Sequence, residues 1–197
     1  MEEFNVEDLD ERENARIVKT AVSPRPIAWI STLAEDGTEN LAPFSSYNYV
    51  SSRQPVVLFN TPNRPREELK DTTRNVLDTE EFAVNVVTES CMEKMDRTAA
   101  SLPADESEFD FADVERAECE LIAPPRVADA AVTMECTLHD TVEVHDRLMI
   151  LGDVRYFHIA TEAMVDGAID STQLAMVGGL GGPYYTVATP IEFERQN

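Results

Sequence analysis

Short apolar runs separated by turn signals at close intervals limit what this chain can fold into. IAWISTLA (27–34), LAPFSSYNYV (41–50) and PVVLFNT (55–61) follow one another with only EDGTEN and SSRQ between them. Asp36-Gly37 in the first connection is a hairpin signal, so residues 27–50 are predicted to form a β-hairpin and 55–61 a third strand. The unbroken apolar character of PVVLFNT predicts burial on both faces. EFAVNVVT (81–88), AVTMECTLHDTVEVHD (131–146) and LMILGDVRYFHIAT (148–161) continue the pattern, the last two joined near Asp146-Arg147 as a second hairpin. Six or more short strands in hairpin order predict a mainly β fold, an antiparallel barrel with a few decorating helices instead of a doubly wound parallel sheet. No internal repeat or change of composition divides the chain, so a single domain over 1–197 is expected.

Helices fill the gaps. Residues 5–20 are predicted to form a short one, which SPRP (23–26) breaks. LKDTTRN reads as a helix start, capped by Asp71 or Thr72 and ending near Asp78. Thr88 or Ser90 is expected to cap the next, SCMEKMDRTAASL, with Met92, Met95 and Ala99 as a core-facing stripe. Beyond Pro103, ADESEFDFADVERAE is a long acidic loop carrying Phe109 and Phe111. GGLGG (178–182) lacks the spacing and setting of a dinucleotide or phosphate loop, and is read as a loop that lets backbone approach something closely.

Charge narrows the function. The chain has 38 acidic and 16 basic residues, a net charge of −22, which predicts a uniformly negative, halophile-like surface and disfavours nucleic acid as a partner. Three scattered cysteines (Cys91, Cys119, Cys136) form no CxxC pair and indicate neither a disulfide framework nor a zinc site. His139 and His145 stand too far apart along one strand to share an ion, so no metal is expected. An acidic N-terminus without an apolar segment, and no run of bilayer length, predict a cytoplasmic protein with no membrane partner.

Against that background residues 64–75 stand out. Arg64, Arg66, Lys70 and Arg74 outweigh Glu67, Glu68 and Asp71 by 4 − 3 = +1, and Ser45, Ser46, Ser51, Ser52, Thr61, Thr72 and Thr73 supply hydroxyls nearby. A helix start beside a cation suits a phosphate, with Lys70 or Arg74 neutralising it.

RPIAWIST, a DG turn, LAPFSSYNYVSSRQPVVLFNT, KDTTRN before EFAVNVV, then APPRV, MECTL and GGPYYT occur in fixed order over residues 20–186. This set resembles the flavin reductase-like family of FMN-binding split barrels. The resemblance implies a Greek-key split β-barrel, a homodimer and FMN at the dimer interface. It assigns the cofactor to Ser45, Ser46, Asn48 and Ser51 in one motif and Lys70, Thr72, Thr73 and Asn75 in the other. Tyr184 is a candidate to stack on or cover the flavin, or a core tyrosine with a satisfied hydroxyl. No side chain is expected to act as acid or base, because the cofactor carries the chemistry. The implied activity is an NAD(P)H-dependent flavin reductase, with NADH or NADPH as reductant and a monooxygenase as possible recipient. A flavoredoxin-like electron carrier and a non-catalytic FMN-binding or storage protein are the alternatives. One departure is visible: family members often carry Arg-Leu-Gly-Gly before the terminal aromatic, and here the arginine position is Gly179.

Overall fold

The computed structural model describes residues 1–194; residues 195–197, the end of the expected domain, lie outside them. Helix α1 (Glu11–Ala21) starts at a capping box, in which Asp10 accepts from the amides of Arg12 and Glu13 while Glu13 accepts from the Asp10 amide. Strands β1 (Arg25–Pro26), β2 (Ala28–Leu33), β3 (Glu39–Phe44), β4 (Tyr47–Ser51) and β5 (Val56–Pro62) follow, then helix α2 (Asp71–Thr79) and strand β6 (Glu81–Val86). Helices α3 (Met92–Arg97) and α4 (Glu108–Phe111) precede the short pair β7 (Arg116–Ala117) and β8 (Arg126–Val127). The long hairpin of β9 (Val132–Val144) and β10 (Arg147–Ile159), a second short pair, β11 (Met164–Val165) and β12 (Ala168–Ile169), and the hairpin of β13 (Val177–Gly181) and β14 (Tyr184–Val187) complete the chain. No described helix is long and apolar enough to cross a membrane.

Seven strands form one antiparallel sheet in the order β3-β2-β6-β9-β10-β5-β4. Strands β1, β13 and β14 form a separate three-stranded sheet. LAPFSSYNYV is therefore not the returning arm of one hairpin, as its composition predicts, but two strands at opposite edges of the large sheet. Laid flat, six inter-strand spacings would hold those edges ~29 Å apart. From Phe44 to Tyr47 the chain reaches only ~11 Å when fully extended. The sheet must curl until its edges meet at Ser45-Ser46. Among the described residues no ladder joins β3 to β4, so the curl stops short of a closed barrel.

Neighbours on β2 face opposite ways, which builds two cores. Ile30 packs with Phe44, Phe59, Phe82 and Ile150 inside the curl, where Phe59 stacks tilted on Phe44 (centroids 4.8 Å apart) and edge-on to Phe82 (5.5 Å). Trp29 packs with Val87, Met95 and Phe109 on the other face, and its indole N–H donates to Thr98 Oγ1 at 2.8 Å. The acidic loop thus contains α4, with Phe109 fully buried and Glu108 accepting from the Leu41 amide at 3.0 Å.

Four local expectations change. Helix α3 stops at Arg97, leaving Met95 buried, Met92 half-buried and Ala99 exposed, because the chain turns so that Thr98 can meet Trp29. From Val57 onward β5 alternates, with Val57, Phe59 and Thr61 buried and Leu58, Asn60 and Pro62 half-buried, since its second face borders the open corner. GGLGG is not a loop: it includes most of β13, the central strand of the three-stranded sheet, and a Cβ at Gly178 would stand 2.8 Å from the Pro24 Cβ. Neither Asp71 nor Thr72 caps α2; Lys70 holds the N-cap position without a side-chain bond, and Asp71 pairs with Arg74.

Gly152 on β10 is a close-approach glycine, since a Cβ there would lie 2.3 Å from Phe82 Cζ. Alanine in a strand ordinarily gains ~0.5–1 kcal/mol over glycine, but overpacking a filled core costs ~1–3 kcal/mol. Gly152→Ala should therefore lower the unfolding free energy, read from the urea midpoint. An unchanged or higher midpoint would show that the Phe82 ring has room to move.

Candidate functional site

The corner that curls the sheet also roofs a cavity. Ser45 and Ser46 are exposed there, and Ser46 Oγ donates to the Asn60 carbonyl at 3.0 Å, tying the corner to β5. Below lies a space of about 350 Å³ with apolar walls at Pro43, Phe44 and Pro62 and four cations, Lys19, Arg25, Lys70 and Arg147. No carboxylate of the described residues lines it. Among the described residues Lys19, Arg25 and Lys70 make no ion pair, and Arg147 meets only its exposed neighbour Asp146 at 3.5 Å. The uniformly negative surface predicted from composition is broken here, because a net charge carries no information about where its minority sign gathers.

Arg25 is the best fixed of the four. Its Nη1 donates to the carbonyls of Leu180 at 2.8 Å and Val22 at 3.3 Å, to Ser23 Oγ at 3.0 Å and to the Lys19 carbonyl. The Lys19 and Val22 carbonyls belong to the C-terminal end of α1, whose dipole favours a cation. Arg25 is the register partner of Gly179, and its Nη2 stands 3.6 Å from where a Cβ of residue 179 would be. The arginine that the resemblance expects at 179 is absent, and Arg25 brings a guanidinium over that position from the paired strand. Arg25, Lys19, Asn60 and Arg147 were not among the sequence-predicted site residues. SPRP signals a helix break and RPIAWIST a family motif, and the usable signal for Arg25 is a basic residue just ahead of the buried IAWIST run.

On the far side of Lys70, Pro43 and Phe44 a second hollow of about 240 Å³ opens, with Asp71 and Thr72 of the α2 start in its wall. Arg74 is occupied by Asp71 and Arg66 by Asp78, so Lys70 is the cation the helix start presents. Behind it runs a buried polar layer. Asn40 Nδ2 donates to Thr72 Oγ1 at 2.9 Å and to Thr32 Oγ1 at 3.1 Å, Asn75 Nδ2 donates to the same Thr32 oxygen at 3.1 Å, and the Thr73 and Thr61 hydroxyls meet at 2.7 Å. Of the predicted residues, the fold brings Ser45, Ser46 and Lys70 to one cavity and Thr72 to the adjoining hollow. Thr73 and Asn75 point inward and lock α2 to the sheet. Asn48, whose side chain accepts from the Tyr49 amide at 2.8 Å, and Ser51 stand on edge strand β4, outside both spaces. Tyr184, 68% exposed, lines a third cavity that shares Lys19 and Arg25 with the first.

A separate cluster joins Cys119, Glu135 and His158, whose ligand-type atoms lie within 4.8 Å of one another. Glu135 is fully buried and accepts from the amides of Glu120 and Leu121, both at 2.7 Å, and from His158 Nε2 at 2.6 Å. Both carboxylate oxygens are thus engaged by protein donors, and the cluster reads as a clamp on residues 119–121. Burial, with Glu135 alongside, pushes the Cys119 thiol up to about 12, so it stays protonated at neutral pH. His139 meets Asp153 at 3.1 Å, and His145 sits in the β9–β10 turn, apart from this cluster.

Residues 21–173 match the family model for a flavin reductase like domain. An uncharacterized protein of Aquifex aeolicus is 36% identical over 187 residues, which cover 94% of this chain and 95% of that one. The structure is similar to that of nitrilotriacetate monooxygenase component B from Bacillus cereus, with a TM-score of 0.91, 30% identity, and coverage of 99% of this chain and 98% of that one. A Shewanella frigidimarina protein assigned as a flavin reductase with split barrel domain matches over 100% of both chains with a TM-score of 0.85, and at 20% identity that likeness speaks to the fold alone.

The clamp has a pH signature. Burial opposes the charge on Glu135, but the Glu120 amide, His158 and the Leu121 amide together hold its pKa below the usual carboxylate value. A carboxylate depressed in the folded state stabilises above its unfolded pKa of ~4.3, and that contribution is lost as pH falls through the folded value. The stability difference between wild type and Glu135→Gln should therefore be largest near pH 7 and shrink on acidification below ~4.3. A difference constant from neutral to strongly acidic pH would mean that Glu135 is not ionised in the folded protein.

Proposed function

Because this chain belongs to the flavin reductase like domain family, we propose that it is a cytoplasmic oxidoreductase that binds FMN at the serine corner and reduces it with NADH or NADPH. The observation that carries the reading is the corner cavity: four cations and exposed hydroxyls, with no carboxylate, in a chain of net charge −22. Its volume lies within the 300–1,000 Å³ usual for small-molecule sites. The donor set fits a phosphorylated flavin, since hydroxyls and cations suit the ribityl phosphate and the walls of Pro43, Phe44 and Pro62 suit a flat ring. Bound flavin supplies the hydride and electron transfer.

Lys70, Ser45 and Ser46 hold the phosphate and ribityl chain, and Thr72 presents the first turn of α2 to them. Thr73 and Asn75 fix that turn from behind through their buried bonds. Arg25 supplies the guanidinium missing at 179. Tyr184, on the wall of the adjoining cavity, covers the ring or stacks on it from the Lys19–Arg25 side. Asn48 and Ser51 reach a flavin from the β4 edge in a two-fold homodimer, a reading supported by exposed Tyr49, Val50, Tyr156, Phe157 and Ile159 on β4 and β10. Molar salt would screen the repulsion between two such acidic chains. The Bacillus cereus neighbour is a monooxygenase component, and a partner monooxygenase is the natural recipient of the reduced flavin.

Lys70→Ala should weaken FMN by ~1.5–3 kcal/mol, the range for a hydrogen bond to a charged group. Riboflavin, which has no phosphate, should bind wild type and variant alike; equal loss of both would place the phosphate elsewhere. For turnover, anaerobic mixing of the FMN-loaded protein with NADH or NADPH should bleach the flavin absorbance. Bleaching by dithionite but by neither nicotinamide would refute the reductase reading.

A further inference from the structure

The third cavity, about 850 Å³ between α1 and β13, is larger than the serine corner and shares Lys19 and Arg25 with it as a common wall. Arg12, Arg16 and Lys19 fall on one face of α1 at i, i+4 and i+7 and, with Arg25, make this lining cationic; none of its members is an Asp or Glu. A solvated helix face explains such a stripe poorly. The chain has more than two acidic residues for every basic one, yet no described carboxylate pairs with these four cations. Arg12 and Arg16 are also like charges one turn apart, an arrangement that works against the helix that carries them. Local sense is overridden where an anion is to be received. The opposite wall is backbone at Gly181 and Gly182, open to close approach, with the exposed ring of Tyr184 beside it.

We propose that this cavity takes the adenosine 2′-phosphate end of NADPH. The inference rests on the reading that flavin occupies the serine corner, since that places the nicotinamide at the Lys19–Arg25 boundary and sends the rest of the dinucleotide along α1. Four cations match the roughly four negative charges of the dinucleotide's pyrophosphate and 2′-phosphate, a phosphate monoester carrying about −1.5 to −2 at neutral pH. Lys19 and Arg25, common to both cavities, meet the pyrophosphate, and Arg12 and Arg16, further out, meet the 2′-phosphate. Recognition of a free 2′-hydroxyl uses an acidic side chain, and the lining has none; an arginine accommodates the 2′-phosphate.

Calorimetric titration with 2′-phospho-ADP-ribose and with ADP-ribose, which lack the redox ring, tests this on protein with and without FMN. Wild type should bind the 2′-phosphorylated compound about tenfold more tightly, the factor that one hydrogen bond to a charged group supplies. Arg12→Ala/Arg16→Ala should bring the two affinities within about twofold while FMN affinity and the far-ultraviolet dichroism stay unchanged, both side chains being exposed. Equal affinities in wild type, or a tenfold ratio that survives in the double variant, would overturn the proposal. So would a variant that weakens FAD while leaving 2′-phospho-ADP-ribose untouched, since the cavity would then belong to a flavin's adenosine tail. Failure of FMN to bind, with the tenfold ratio intact, would instead sink the flavin reading and leave this site standing.

Discussion

Ser45 and Ser46 carry the chain from one edge of a seven-stranded sheet to the other, and a connection that short cannot be made unless the sheet curls. The curl puts Phe44, Phe59 and Phe82 in contact at the centre and brings the ends of β3, β5 and α2 to one place. Two small hydroxyl residues suit the corner, since they leave space beneath it and present donors on the open side. Lys70 arrives from the start of α2, Arg147 from the start of β10 and Arg25 from the strand paired with β13. One backbone constraint thus makes both the core and the cavity.

Charge placement is the second organising force. Acidic residues outnumber basic ones 38 to 16, but six of the 16, Arg12, Arg16, Lys19, Arg25, Lys70 and Arg147, line two cavities that share Lys19 and Arg25 and that no described carboxylate lines. Like charges ~4 Å apart repel by only ~1 kcal/mol in water and by about four times that at a less polar surface. The concentration is tolerable where solvent enters, and it becomes favourable once an anion arrives. Arg25 is the exception in being half-buried, and carbonyl oxygens at the C-terminal end of α1 hold it in place of a counter-ion.

The buried acids are satisfied by different means. Glu135 is held ionised by two amides and His158, and so clamps residues 119–121 to β9. Glu108 has one amide, from Leu41, and burial raises its pKa with Asp71 nearby adding to the effect. The first contributes stability as pH rises through the carboxylate range and the second gives some of it back, so the two oppose each other on acid titration.

Much of this was legible in the residues themselves. Turn signals at short intervals set the antiparallel hairpins β2–β3 and β9–β10, because Asp36-Gly37 and the 145–147 turn act within a few residues of chain. The order of RPIAWIST, the serine-rich segment and KDTTRN was enough to identify the family, and Ser45, Ser46 and Lys70 do converge on one cavity. Local signals could not show that LAPFSSYNYV divides between two edges, because its apolar pattern is the same whether it pairs as one strand or two. Nor could they show that Thr73 and Asn75 spend their polar atoms on Thr61 and Thr32, or that GGLGG is mostly strand, since those partners lie 12 to 154 residues away. Strand cadence follows from neighbours in the chain and the acidic balance from composition, so both are readable before any fold is known. Which cations share a cavity is set by the folded sheet, because Arg25, Lys70 and Arg147 meet through its curl and not through any spacing between them.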